Sequence, residues 1–207
     1  VQQARAVALQ QDSGGSVLVR QENGPALRCR ELVLCTGAWS RPLAASLGYR
    51  VPLDTERGYH ITMPWPASEG AAPGTRAWLD RPVASVERNV IMTPMSVGLR
   101  MTGTVEFGGL LLPPDAHRLA LLRRAMRALV PASQPDTAST WMGFRPSLPD
   151  HLPVVCAAPR HPGVFFAFGH QHLGLTLCGL TARLVADLVC RRKPSVDMAP
   201  FHVDRFY

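Results

Sequence analysis

Residues 163–182 read GVFFAFGHQHLGLTLCGLTA, and no Asp, Glu, Lys or Arg interrupts them. A stretch of that length would suit a membrane-crossing helix. Its middle argues otherwise, because GHQHLG places two histidines, a glutamine and two glycines there. The stretch reads instead as a buried strand over Val164 to Phe168, a turn through GHQH, and a helix from Gly174 to Arg191. A helix that opens straight after such a turn presents unpaired N–H groups and a partial positive charge, which suit an anion or the electron-rich edge of a ring.

Working outward, PRHPG separates Val164–Phe168 from Val154 to Cys156, which predicts a hairpin. Far upstream, ELVLC (Glu31 to Cys35) is a second apolar run, ending at Thr36-Gly37, and its continuity predicts a strand buried on both faces. It should lie close to Val164–Phe168, since both run into glycine-containing loops. Val1 to Leu9, Ser16 to Arg20 and Leu27 to Arg30 read as strands divided by the turn clusters DSGG and ENGP. Ser40 and Pro42 open a short helix that Gly48 stops. From Val51 to about Phe107 the pattern is that of an antiparallel sheet, with strands at Tyr59 to Met63, Ala77 to Asp80, Val90 to Met95 and Leu99 to Phe107. Prolines 64, 66 and 73 mark surface loops. Asp115 is a fitting N-cap for a helix whose apolar stripe is Leu119, Leu122, Met126 and Leu129, and Pro131 ends it. A polar loop at 132–138 precedes a strand at Trp141 to Phe144.

The chain has 207 residues, enough for one ordinary domain or two small ones sharing a core, and 46% of them are hydrophobic. It begins at Val1, which fits a fragment or a processed product. The net charge of +7 comes almost wholly from arginine, because Lys193 is the only lysine. The arginines are scattered rather than gathered into a stripe, which argues against nucleic acid as a partner. Five cysteines, Cys29, Cys35, Cys156, Cys178 and Cys190, include no CxxC pair, and apolar neighbours make them read as buried free thiols in a reducing compartment. That reading places the protein in the cytoplasm, with peripheral attachment at the inner membrane face left open.

Three segments carry chemistry together: VLCTGAWS (33–40), GFRPSLPDHLPVV (143–155) and FGHQHLGLTL (168–177). Arg145 is the natural grip for a carboxylate, since its planar fork makes two parallel hydrogen bonds, although an ordinary surface arginine fits the sequence too. Tyr59 and His60 are candidates to line a substrate pocket, yet adjacent strand residues point to opposite faces, so at most one of them does. His170 and His172 form a His-x-His pair without further ligands nearby, so no metal site is expected.

In this order, and with RGYH (57–60) and GTVEFGG (103–109), these segments resemble the C-terminal part of the D-amino-acid oxidase, glycine oxidase and D-amino-acid dehydrogenase family. The bacterial subgroup with GHxHLGLT is the most similar. The resemblance implies an α/β (α+β) fold: part of an FAD-binding Rossmann-like domain (residues 1–45 and 146–207) plus an antiparallel-sheet substrate domain (46–145). It implies oxidation of the C–N bond of a small amino or imino acid, with FAD as cofactor. Thr36, Gly37 and Ala38 would pass the flavin nucleotide. Gly143 and Pro146 would lie beside the ring, with Arg145 on the substrate carboxylate. His170, His172, Leu173, Gly174, Leu175 and Thr176 would approach the ring's pyrimidine end and the ribityl chain. One departure is large, because no GxGxxG turn occurs anywhere in the sequence. The adenosine and pyrophosphate sites are therefore not expected among these residues, and the chain alone is expected to retain no FAD and to be inactive. A non-catalytic module or assembly subunit is the rival reading, and a homodimer is compatible with either.

Overall fold

The computed structural model describes residues 3–65, 79–131 and 133–207. In chain order the elements are β1 (Ala6–Gln11), β2 (Val17–Gln21), β3 (Leu27–Cys29), β4 (Leu32–Leu34), α1 (Ser40–Ser46), β5 (Asp54–Met63), β6 (Val83–Ser85), β7 (Val90–Met95), β8 (Gly98–Phe107), α2 (Ala116–Leu129), β9 (Ser139–Ser147), β10 (Val154–Ala157), β11 (Val164–Phe168) and α3 (Gly174–Val189). Short 3-10 turns occur at Gly37–Trp39, Pro135–Thr137, Ala199–Phe201 and Val203–Phe206. The chain divides into two compact units, Val1–Thr55 with Arg145–Tyr207, and Glu56–Phe144.

The first unit holds two three-stranded sheets, ordered β1-β2-β3 and β10-β11-β4. β10 and β11 form the expected antiparallel hairpin, and β4 joins β11 in parallel with Leu34 opposite Phe166. All of Val164–Phe168 is buried, and Phe166 and Phe168 are at 0% and 1% exposure. Such side chains contribute roughly 1.5–3 kcal/mol each. They pack with Leu34, Leu43, Tyr49, Val154 and Val203 in one core. This unit runs on to Thr55 rather than ending near 45, because Leu47, Tyr49, Val51 and Leu53 are buried in that same core.

Two expectations here need correction. β4 spans three residues, and Val33 and Cys35 are exposed, so the ELVLC run is not buried on both faces. Among the described residues β4 is an edge strand, paired with β11 on one side. Nor are the thiols uniformly buried: Cys156 is, Cys29 is partly so, and Cys35, Cys178 and Cys190 are exposed. The latter two border or lie on α3, whose fully buried residues are Leu184 and Asp187. Apolar sequence neighbours do not bury a residue on a helix that meets its core along one narrow stripe.

In the second unit a five-stranded sheet, ordered β6-β7-β8-β5-β9, packs one face on α2. That face presents Tyr59, Ile61, Met92, Leu99 and Met101 to Leu122 and Met126, which are wholly buried. Asp115 caps α2, accepting from the His117 N–H at 2.8 Å. The short β6 carries no sequence signal of its own and is held by pairing with β7. Of the expected strand Ala77–Asp80, residues 77 and 78 lie outside the described residues, as do Pro66 and Pro73. Leu79 and Asp80 are not strand. β9 extends through Arg145 and Pro146, three residues past the expected end at Phe144.

Candidate functional site

Because β4 and β11 are parallel and in register, the segments that follow them leave the same edge of the sheet. After β4 come Cys35 and Thr36, then the 3-10 turn Gly37–Trp39 that leads into α1. The Thr36 and Ser40 hydroxyls, 3.0 Å apart, tie that turn to the first residue of α1. After β11 the chain turns at Gly169, whose φ is +89°, where a Cβ would lie 2.5 Å from Leu148 Cδ1. Only glycine fits there. Gln171, at φ +51°, donates its backbone N–H to the Pro146 carbonyl at 3.0 Å. Its side-chain amide meets His151 Nδ1. Three sequence-predicted segments, 36–38, 146 and 169–176, are thus drawn together within one unit.

α3 starts at Gly174 with no side-chain cap. The N–H groups of Gly174, Leu175 and Thr176 therefore stand at the positive end of a helix dipole. Around them Leu175 is 87% exposed, and Leu173 and His172 are exposed. His170 is partly buried, its Nε2 3.0 Å from Thr181 Oγ1. Burial lowers its pKa, so the ring is neutral at pH 7.

Arg145 is partly buried on β9, and its guanidinium makes no hydrogen bond or ion pair among the described residues. Gly143, on the same strand, is covered by the ring of Trp141: a Cβ there would fall 1.9 Å from Trp141 Cη2. Trp141 in turn stacks on His60, with centroids 4.8 Å apart and planes at 16°. His60 is partly exposed, and burial first, then the charge of Arg100, lowers its pKa. Tyr59 points the other way, into the core, at 1% exposure. Its hydroxyl donates to Glu106 and accepts from Arg57 Nη2 (2.8 Å) and the Asp115 N–H (3.0 Å). One donor and two lone pairs are all a phenol has, so nothing remains for a ligand.

The reading of the sequence did not single out Trp141 or Arg100. The available signal was parity: Trp141 sits two residues before Gly143 on a strand, hence on the same face. An open cleft of about 720 Å³ lined by Gly15, Arg30, Glu31, Pro162, Gly163 and Arg191 lies at the opposite, amino ends of β4 and β11. No helix of the described residues is long and apolar enough to cross a membrane.

Comparison with known proteins gives a consistent answer. A profile of the family described as "FAD dependent oxidoreductase" matches residues 1–188. A D-amino-acid oxidase of Bradyrhizobium diazoefficiens is 35% identical over 207 residues, covering 98% of this chain and 47% of its own length. A D-amino acid dehydrogenase of Paramagnetospirillum magneticum is 32% identical over 184 residues, covering 87% of this chain and 41% of its own length. The crystal structure of glycine oxidase from Geobacillus kaustophilus superposes with a TM-score of 0.81 at 26% identity, covering 97% of this chain and 51% of that one. The chain therefore spans about half the length of the relatives it matches. Its mixed α/β fold, its parallel β4–β11 pair with adjoining loops, and the match over most of its length make it a member of the FAD-dependent oxidoreductase family.

Proposed function

We propose that this chain supplies the flavin-facing and substrate-gripping residues of an FAD-dependent enzyme that oxidises the C–N bond of a small amino or imino acid. The observation that carries the reading is the convergence of the Thr36–Ala38 turn, Pro146 and the α3 amino end at one sheet edge. In open α/β sheets, ligands sit outside the carboxyl ends of the strands. The uncapped N–H groups of Gly174, Leu175 and Thr176, beside exposed Leu173 and Leu175, suit a ring that is apolar on its faces and electron-rich at one edge. Thr36, Gly37 and Ala38 approach the nucleotide through backbone, as do His170 and His172. Gly143 and Pro146 lie beside the ring.

When bound, the flavin supplies a hydride acceptor for the substrate's α-carbon. The residues of this chain orient the substrate. Arg145, with its fork unengaged, holds the carboxylate in a bidentate pair. Tyr59 is structural in this reading, and of the two candidates His60 alone remains available to substrate. In this reading the enzyme works in the cytoplasm or against the inner membrane face.

Arg145→Lys tests the grip in the longer, flavin-loaded enzyme that this reading requires. Lysine keeps the charge and loses the fork, which costs on the order of 2–4 kcal/mol for a desolvated pair. Substrate affinity should fall on the order of 30- to 1000-fold. Unchanged steady-state kinetics would remove Arg145 from the site.

A second reading, a non-catalytic module, is favoured by one observation: no GxGxxG turn is present to cradle the cofactor's phosphates. We accordingly expect the 207-residue chain alone to retain no FAD, which equilibrium titration with FAD checks. Stoichiometric yellow protein would contradict that expectation.

A further inference from the structure

Two arginines of the second unit's sheet are treated in opposite ways by the fold. On the α2 face, Arg57 spends its whole fork: Nε on Glu106, Nη1 on the Leu112 carbonyl, and Nη2 on Tyr59 and the Pro113 carbonyl. On the other face, Arg100 is partly buried, and its one hydrogen bond runs from Nε to Thr62 Oγ1 at 3.3 Å. No carboxylate pairs with it among the described residues, and both of its terminal nitrogens are unengaged. A partly desolvated guanidinium without a counter-charge is costly unless a ligand supplies one.

On this face His60 sits diagonally across the β5–β8 pair from Arg100 and feels its charge, and Trp141 on β9 stacks on His60. The two rings are 4.8 Å apart, and Trp141 is 56% exposed. The lowered pKa of His60 leaves it neutral at pH 7, so it adds no second positive charge beside Arg100. Thr62 and Thr102 flank the pair, opposite Arg100 and His60 in the β5–β8 register. Thr102 donates its hydroxyl to the Tyr59 carbonyl at 3.2 Å, Thr62 accepts from Arg100 Nε, and no hydrogen bond engages Nη1 or Nη2 among the described residues. A guanidinium held by Nε, with its two terminal nitrogens unengaged and the His60–Trp141 stack on the neighbouring strands, is suited to a carboxylate on a short carbon skeleton.

We propose that Arg100, with the His60–Trp141 stack on the neighbouring strands, is a binding site for a small dicarboxylate on the sheet face away from α2. One carboxylate pairs with the two unengaged nitrogens of Arg100, and His60 is the ring near enough to report its arrival.

The test needs no flavin. The His60 ring is followed by NMR in the full chain, assigned with His60→Gln, while glutarate is added. The expected result is a saturable shift of the ring signals with glutarate and none with dimethyl glutarate. Arg100→Met should weaken the response roughly ten-fold or more, as removal of one partner of a charge pair does. Arg100→Lys, which keeps the charge without the fork, should fall between. The proposal is overturned by a His60 signal that ignores glutarate, by an equal response in Arg100→Met, or by sulfate acting as well as glutarate.

Discussion

Arg57, Tyr59 and Glu106 form a closed polar cluster under α2, and its members show how position decides a side chain's use. Arg57 is 1% exposed and bonds Glu106 Oε1 at 2.9 Å, while Arg118 Nε reaches Glu106 Oε2 at 3.2 Å. The Tyr59 hydroxyl, chiefly, holds the Glu106 carboxyl below its ordinary pKa; burial opposes that, and Arg57 and Arg118 reinforce it. Glu106 is therefore a fixed anion and unsuited to proton abstraction. Replacing Arg57 by Met strands the Leu112 and Pro113 carbonyls and removes the buried cation from Glu106, leaving it only Arg118 and Tyr59, so Arg57→Met should destabilise the fold by about 3–5 kcal/mol. Urea unfolding reads this directly, and a loss under about 1 kcal/mol would contradict the account. The sequence showed that Tyr59 and His60 face opposite ways. It did not show which face α2 covers, because that depends on contacts between elements far apart in the chain.

Strands and helices were legible wherever a local signal set them. Asp115 announced α2, PRHPG the β10–β11 hairpin, and Gly48 the end of α1. The length of β9 was not legible, since Arg145 and Pro146 carry a loop signature while pairing in the sheet keeps them extended. The exposure of Val33 was not legible either. An apolar run states a preference for burial, and an edge position withholds a neighbour. The β7–β8 turn shows a requirement that sequence alone understates. Gly98 sits at φ +149°, and a Cβ there would lie 2.1 Å from the Met63 carbonyl oxygen. Gly98→Ala must push β5 and β8 apart at Met63–Leu99, with a cost on the order of 3 kcal/mol. Thermal melting should show a clear fall in Tm, and an unchanged Tm would mean that the turn can relax.

Across the chain, the motifs GFRP and GHxHLGLT were sufficient to suggest the family, and the match over residues 1–188 supports that assignment. Neither motif revealed how the segments meet. That follows from the parallel β4–β11 register and the Gln171–Pro146 hydrogen bond, both of which join residues more than twenty positions apart. That Arg145 and Arg100 meet no carboxylate among the described residues was equally hidden, because a sequence does not show which arginines find carboxylates. The central claim is that these residues orient an amino or imino acid for oxidation by a flavin. Anaerobic mixing of the longer, flavin-loaded enzyme that the reading requires with D-amino acids and proline-like imino acids, followed at the flavin's visible absorbance, tests it most directly. The account predicts saturable bleaching with at least one of these substrates. Flavin that stays fully oxidised with all of them would contradict it.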